Sequence, residues 1–222
     1  EELQLLVQRA IHKHNNGQQF KAIILVGDLC NKGPYSSEVI RYVRSQSMEN
    51  SNWFCVRGNH DDRALLAALG HEDICNKPRY QWVKELSDED VEWMSKLPYT
   101  IRIPASMVLV DEDTKQVKQD VIIVHAGLDP AVELGKQNID TMVTVRFIED
   151  YDIKPSLWSK IWSGPELVIF GYDAKRGLQN EKFAIGLDSG CVYGGNLSGI
   201  ILPEHEMVSV DAVREHCQVK RK

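Results

Sequence analysis

A chain of 222 residues, 43% hydrophobic and 26% charged, is long enough to bury a core and too apolar for wholesale disorder. Its 26 Lys and Arg against 32 Asp and Glu leave a formal charge of −6, so a polyanionic ligand must be held by a local basic site or by metal, not by the field of the whole molecule. No apolar run approaches the ~20 residues that span a bilayer, and five cysteines without a CxxC pair suit buried thiols in a reducing, cytoplasmic setting.

In chain order, Leu3, Leu6, Val7 and Ala10 recur at the spacing of an amphipathic helix that ends near Asn15, Asn16 and Gly17. The chain opens at Glu1 inside this helix without a signal-peptide pattern and reads as N-terminally truncated. Residues 22–26 are a continuous branched apolar run closed by Gly27, as expected of a strand covered on both faces. A helix over 36–48 and a second strand over 53–56, closed by Gly58, complete a β-α-β unit. Residues 61–69 predict another helix, and Ser87 with the acidic turn Asp88, Glu89 and Asp90 caps one that stops at Leu97 before Pro98. Strands are then predicted over 100–103, 107–110 and 121–124, the last two joined by a charged loop over 111–120. A helix over 141–148 precedes strands over 167–170, 183–187, 198–202 and 207–210. Residues 1–210 read as one domain and 211–222 as a polar tail that frays from 212 on.

Four of the strand-like runs end alike, in Gly27-Asp28, in Gly58-Asn59-His60-Asp61, in His125-Ala126-Gly127 and in Gly171-Tyr172-Asp173. In open α/β architectures ligands bind outside the carboxyl ends of the strands, where glycine permits tight turns and close approach. The four ends bring Asp28, Asn59, His60, His125 and Tyr172 to one place, a mixed oxygen and nitrogen set that suits Mn, Fe or Zn better than an all-oxygen Mg cage. Each residue also has a plain structural reading. Asp28 is then a turn residue, His125 a satisfied core histidine, Lys32 and the Lys175-Arg176 pair solvated cations, and Arg146 a helix-surface residue. Trp158 and Trp162, four apart, read as core, as a partner face or as a base-stacking wall.

The segments GDLCNKGP (27–34), GNHD (58–61), HAGL (125–128) and GLDSGCVYGG (186–195), in that order, resemble the calcineurin-like metallophosphoesterases. Within them the match is to the phosphoprotein-phosphatase-type branch and its ApaH-like phosphatases, related to diadenosine tetraphosphatase, over residues 1–210. The resemblance implies a four-layer α/β fold, a β-sandwich flanked by helices, with two divalent metal ions that hydrolyse phosphoesters or phosphoanhydrides through a metal-bound hydroxide. It implies that Asp28 bridges the metals, that Asn59 and His125 ligate the second, and that His60 protonates the leaving oxygen. Lys32 stands where the protein-phosphatase relatives carry Arg and, with Asn59 and Arg176, is implied in holding the substrate phosphate. Asn31 occupies a position at which many relatives have Asp, so the orientation of the catalytic His60 falls to Asp61 or to the Asn31 amide.

Two departures stand beside the match. The family's first strand, ending in Asp-x-His and supplying ligands of the first metal, is missing from this chain, and Tyr172 takes the place of a metal-ligating histidine. A phenol with pKa near 10 is a poor ligand for a divalent ion. Three readings therefore follow: a metal-dependent phosphohydrolase acting on a dinucleoside polyphosphate, a capped RNA end, inorganic polyphosphate or a phosphoprotein; a non-catalytic phosphate- or partner-binding relative; or an incomplete sequence of an active enzyme, which the missing first strand favours.

Overall fold

The structure, a computed structural model, describes residues 1–14, 19–108, 119–149 and 155–218. The first unit is α1 (Glu2–His14), β1 (Ile23–Leu25), α2 (Ser36–Glu49) and β2 (Trp53–Cys55), with β1 and β2 paired in parallel through Ile23–Trp53 to Leu25–Cys55. A helical block follows: α3 (Asn59–Ala68), the short α4 (Glu72–Cys75), a 3-10 turn Pro78–Glu85 and α5 (Asp88–Ser95). Ser87 caps α5 as expected, its hydroxyl accepting from the Asp90 N–H while the Asp90 carboxylate accepts from the Ser87 N–H.

The rest of the chain builds β3 (Thr100–Ile103), β4 (Val121–Val124), α6 (Ile139–Thr144), β5 (Phe147–Ile148), β6 (Ser156–Leu157), α7 (Trp158–Ile161), β7 (Leu167–Phe170), β8 (Gln179–Glu181), β9 (Ala184–Gly186), β10 (Asn196–Ile201) and β11 (Glu206–Asp211). Five of these strands form one mixed sheet in the order β3-β4-β7-β9-β8, with β4, β7 and β9 parallel. All residues of β4 and β7 are buried, which is why VIIV and LVIF carry no polar alternation.

Alternate residues of that sheet face two different cores. Val121, Ile123, Leu167, Ile169 and Ile185 pack against Ile24 and Val26 of the first unit and Ile200 and Leu202 of the β10-β11 ribbon. Ile122, Val124, Val168, Phe170 and Ala184 pack against Met142 of α6 and Trp158 of α7. Outside the two ribbons lie α1, through Leu6 and Ala10 on Val208 and Val210, and α2 with α5, through Val43 and Trp93 on Cys55. The order helices, ribbons, sheet, short helices is the expected four-layer sandwich. No helix among the described residues is long and apolar enough to cross a membrane.

Three expectations are corrected. The helix over 141–148 ends at Thr144, and Phe147–Ile148 becomes β5, because Val143, Thr144 and Val145 are a β-branched run and Val145 turns extended. Met107 lies in a turn closed by its N–H on Pro104 O, and β3 itself pairs antiparallel with β4; residues 109–118 lie outside the described residues. Residues 212–217 are tied back through Ala212 N–H to Gly195 O and through His216 and Cys217 N–H to Val192 O. The short α4, β5, β6, α7 and β8 are too brief for periodicity to reveal.

Trp158 is core. It is 2% exposed, donates its indole N–H to Ala126 O at 3.1 Å and stacks edge-on to Phe170. It also lies against Gly127, where an added Cβ would overlap the indole. Gly127→Ala is expected to lose roughly 1–3 kcal/mol of stability in urea unfolding, the usual cost of overpacking. Gly135→Ala, where nothing lies within 4 Å, should stay within about 0.5 kcal/mol.

Candidate active site

The ends of β1, β2, β4 and β7 converge, as their glycines foretell. Gly171 N–H donates to His125 O at 2.8 Å, and a Cβ on Gly27 would meet Gly58 N at 2.7 Å and His125 Nδ1 at 3.0 Å. Gly27 has φ +86° and Asp28 has φ +58°, so the chain leaves β1 through two left-handed residues, the second of which is not glycine.

Asp28 sits at the centre. Its Oδ1 accepts the His60 backbone N–H at 3.0 Å and lies 3.3 Å from His125 Nε2, and its Oδ2 is 4.0 Å from His60 Nε2. His125 is 1% exposed and its tautomer follows from its contacts. Val26 O, 2.7 Å from Nδ1, can only accept, so Nδ1 carries a proton. His125 Nε2 faces two oxygens, Asp28 Oδ1 at 3.3 Å and Asn59 Oδ1 at 3.2 Å. Asp28 and Asn59 thus meet at His125 Nε2. One carboxylate, one amide oxygen and one imidazole fit a single borderline divalent ion with open positions. Among the described residues no three of His, Cys, Asp and Glu form a metal-holding group.

Asp61 is also 1% exposed but touches none of these atoms as a ligand. Its Oδ2 accepts the N–H groups of Asp28 at 2.8 Å and Gly58 at 2.9 Å, and its Oδ1 accepts the N–H of Leu29 at 2.9 Å and the Cys30 thiol at 3.5 Å. Burial and the neighbouring Asp28 charge push this carboxyl up to about 6 despite those donors. The sequence assigned Asp61 to catalysis, through orienting His60; the structure makes it the clasp between the ends of β1 and β2. Nor does the Asn31 amide reach the imidazole: it donates to His60 O at 3.1 Å and accepts from the Trp82 indole at 3.0 Å. His60 Nδ1 is buried and has no hydrogen-bond partner among the described residues. Burial lowers the His60 pKa, Asp28 opposing and Lys32 adding to the shift.

Tyr172 lies at the expected strand end, with φ +68° and its ring 5.4 Å from the His125 ring, but its hydroxyl points elsewhere. Arg146 Nη1 donates to it at 2.9 Å, and the guanidinium stacks 3.8 Å from the ring centroid. The Tyr172 oxygen, read from the sequence as a metal ligand, here accepts from Arg146. Arg176 donates to Asp173 at 2.6 Å and stacks 4.7 Å from the Phe147 ring. Lys32 is exposed, 5.3 Å from the Tyr193 ring.

Asp188 was not singled out by the sequence. It follows β9 as Asp28 follows β1, so the same strand-end rule could have found it. Its carboxyl is pushed up by burial, accepts the Gly190 N–H at 3.1 Å and feels Lys32, Asp28 and His125.

Comparison with known proteins follows this geometry. The family described as calcineurin-like phosphoesterase matches residues 2–187. The asymmetrical bis(5'-nucleosyl)-tetraphosphatase PrpE of Bacillus velezensis is 27% identical over 202 residues, covering 86% of this chain and 78% of that one. The symmetrical bis(5'-nucleosyl)-tetraphosphatase of Methylobacillus flagellatus is 28% identical, covering 84% of this chain and 83% of that one. A crystal structure of a candidate diadenosine tetraphosphatase superposes with a TM-score of 0.74 at 29% identity, over 96% of this chain and 90% of that chain.

Asp61→Asn tests the clasp. It places an amide donor against backbone N–H donors, and leaving buried donors unpaired costs about 1–3 kcal/mol each. A loss of roughly 2–4 kcal/mol in urea unfolding is expected; unchanged stability would remove Asp61 from this role.

Proposed function

The chain belongs to the calcineurin-like phosphoesterases, and from that premise we propose that it is a metal-dependent phosphohydrolase whose substrate is a dinucleoside polyphosphate. The activity for which the relatives are named supports this substrate class over a capped RNA end, inorganic polyphosphate or a phosphoprotein. The observation that carries the reading is the meeting of Asp28 and Asn59 at His125 Nε2, with the His60 imidazole 4.0 Å from the same carboxylate.

In this reading Asp28, Asn59 and His125 hold one of two divalent ions of Mn, Fe or Zn. Such ions supply the charge that neutralises the phosphoryl oxygens and acidifies water. His60, whose Nε2 lies 4.0 Å from Asp28 Oδ2, is placed to pass a proton to the leaving oxygen. Lys32 and Asn59 contact the phosphate, and Asp61 keeps Asp28 and Gly58 in register. Tyr172 takes no part as a ligand.

The alternative is a non-catalytic phosphate- or partner-binding relative. Turnover of a dinucleoside tetraphosphate by the purified protein with Mn, and none with chelator, separates the two readings. Asp28→Asn should abolish that turnover, because an amide cannot supply the anionic charge. Near wild-type rates would remove Asp28 from the site. His60→Ala should lower the rate by roughly 10² to 10⁴, with a smaller loss for esters of good leaving groups; an equal loss for alkyl and nitrophenyl phosphates would contradict proton transfer by His60.

A further inference from the structure

Around Tyr172 lies a cluster that the metal-ligand geometry does not use. Arg146 donates from Nη1 to the Tyr172 hydroxyl at 2.9 Å, from Nη2 to the Tyr172 carbonyl at 3.4 Å and from Nε to Asp173 at 3.3 Å. Arg176 reaches the other oxygen of the same Asp173, which is 4% exposed. Two guanidinium charges thus share one buried carboxylate, and a surplus of positive charge stands in a protein whose net charge is −6. Both arginines retain N–H groups beyond those bonds, five being available on each. Arg146 and Arg176 keep 38% and 28% of their side-chain surface open to solvent.

Aromatic rings complete the cluster. Phe147 is 46% exposed and backs Arg176, and Tyr172 backs Arg146. A guanidinium stacked on an aromatic face is fixed in direction and needs little further ordering to grip a phosphate with two N–H groups. Tyr172 is itself held in the left-handed region, unusual for a bulky residue, by the two bonds Arg146 makes to it. The cluster starts one ring away from His125, since the Tyr172 and His125 ring centroids are 5.4 Å apart.

We propose that Arg146 and Arg176, set by Asp173 and Tyr172, bind the phosphates of one nucleoside polyphosphate arm while Phe147 stacks on its base. This deepens the phosphohydrolase reading and rests on it for the identity of the substrate. Arg146 and Arg176 are binding residues, and Tyr172 positions Arg146. The cluster grips by arginine and ring, so it works without metal and prefers a ligand with both phosphates and a base.

Isothermal titration of ATP into the full chain in EDTA, with inorganic tripolyphosphate as the probe that lacks a base, tests the subsite apart from turnover. ATP should bind, and more weakly as salt rises. Arg146→Gln should weaken both probes by roughly tenfold or more, the worth of charge-assisted hydrogen bonds, and Arg146→Lys should recover only part because the fork is lost. Phe147→Ala, at an exposed ring, should weaken ATP by about fivefold or more and leave tripolyphosphate unchanged. Absence of ATP binding in EDTA would overturn the proposal, as would ATP affinity unmoved by both Arg146→Gln and Phe147→Ala in variants whose melting matches the parent. Failure of the phosphohydrolase reading appears separately, as absence of metal-stimulated turnover in a protein that still binds ATP.

Discussion

The Asp61 carboxylate accepts backbone N–H groups from both sides of the cleft, from Asp28 and Leu29 beyond β1 and from Gly58 beyond β2. Without it the two strand ends would present unpaired donors to each other, at a cost of kcal/mol each in a buried setting. With it, Gly58 comes so near Asp28 that a Cβ there would overlap the Asp28 carboxylate, and His60 N–H reaches Asp28 Oδ1. The position of the central carboxylate, and of the imidazoles that face it, follows from this one clasp.

The clasp also shapes the electrostatics. Asp61 is buried beside Asp28, and burial first, with the Asp28 charge second, raises its pKa to about 6. His125 donates from Nδ1 to Val26 O and turns Nε2 toward Asp28 and Asn59. Beside these acidic groups stand the basic and aromatic pairs Lys32 with Tyr193 and Arg146 with Tyr172. The net charge of −6 thus conceals a local separation of carboxylates from cations.

The legibility of these features in the sequence divides along physical lines. β1, β2, β4 and β7 are apolar runs closed by a glycine and a polar residue, a signal carried within a few residues, and so the four-layer architecture and the convergence of Asp28, Asn59, His60 and His125 could be read directly. Asp61 was read as a partner of its neighbour His60 because its hydrogen bonds to Asp28 and Leu29 join residues more than thirty positions apart. Tyr172 was placed correctly at its strand end, but the partner of its hydroxyl could not be read, since Arg146, which donates to it, lies 26 positions away. The segment after residue 211 was read from its polarity, and polarity says nothing of backbone bonds such as those to Val192.

Asp28 and Tyr172 share a further property that ties these observations together. Both follow a glycine at a strand end and both adopt a positive φ, +58° and +68°, although neither is glycine. Such conformations persist where surrounding contacts over-determine them. For Asp28 the contact is Asp61, which accepts its N–H; for Tyr172 it is Arg146, which donates to its carbonyl and hydroxyl. In each case the side chain meets partners from other elements, Asp28 the imidazoles and Tyr172 the guanidinium. The same backbone device thus serves two strand ends, and the holders of both lie far away in sequence.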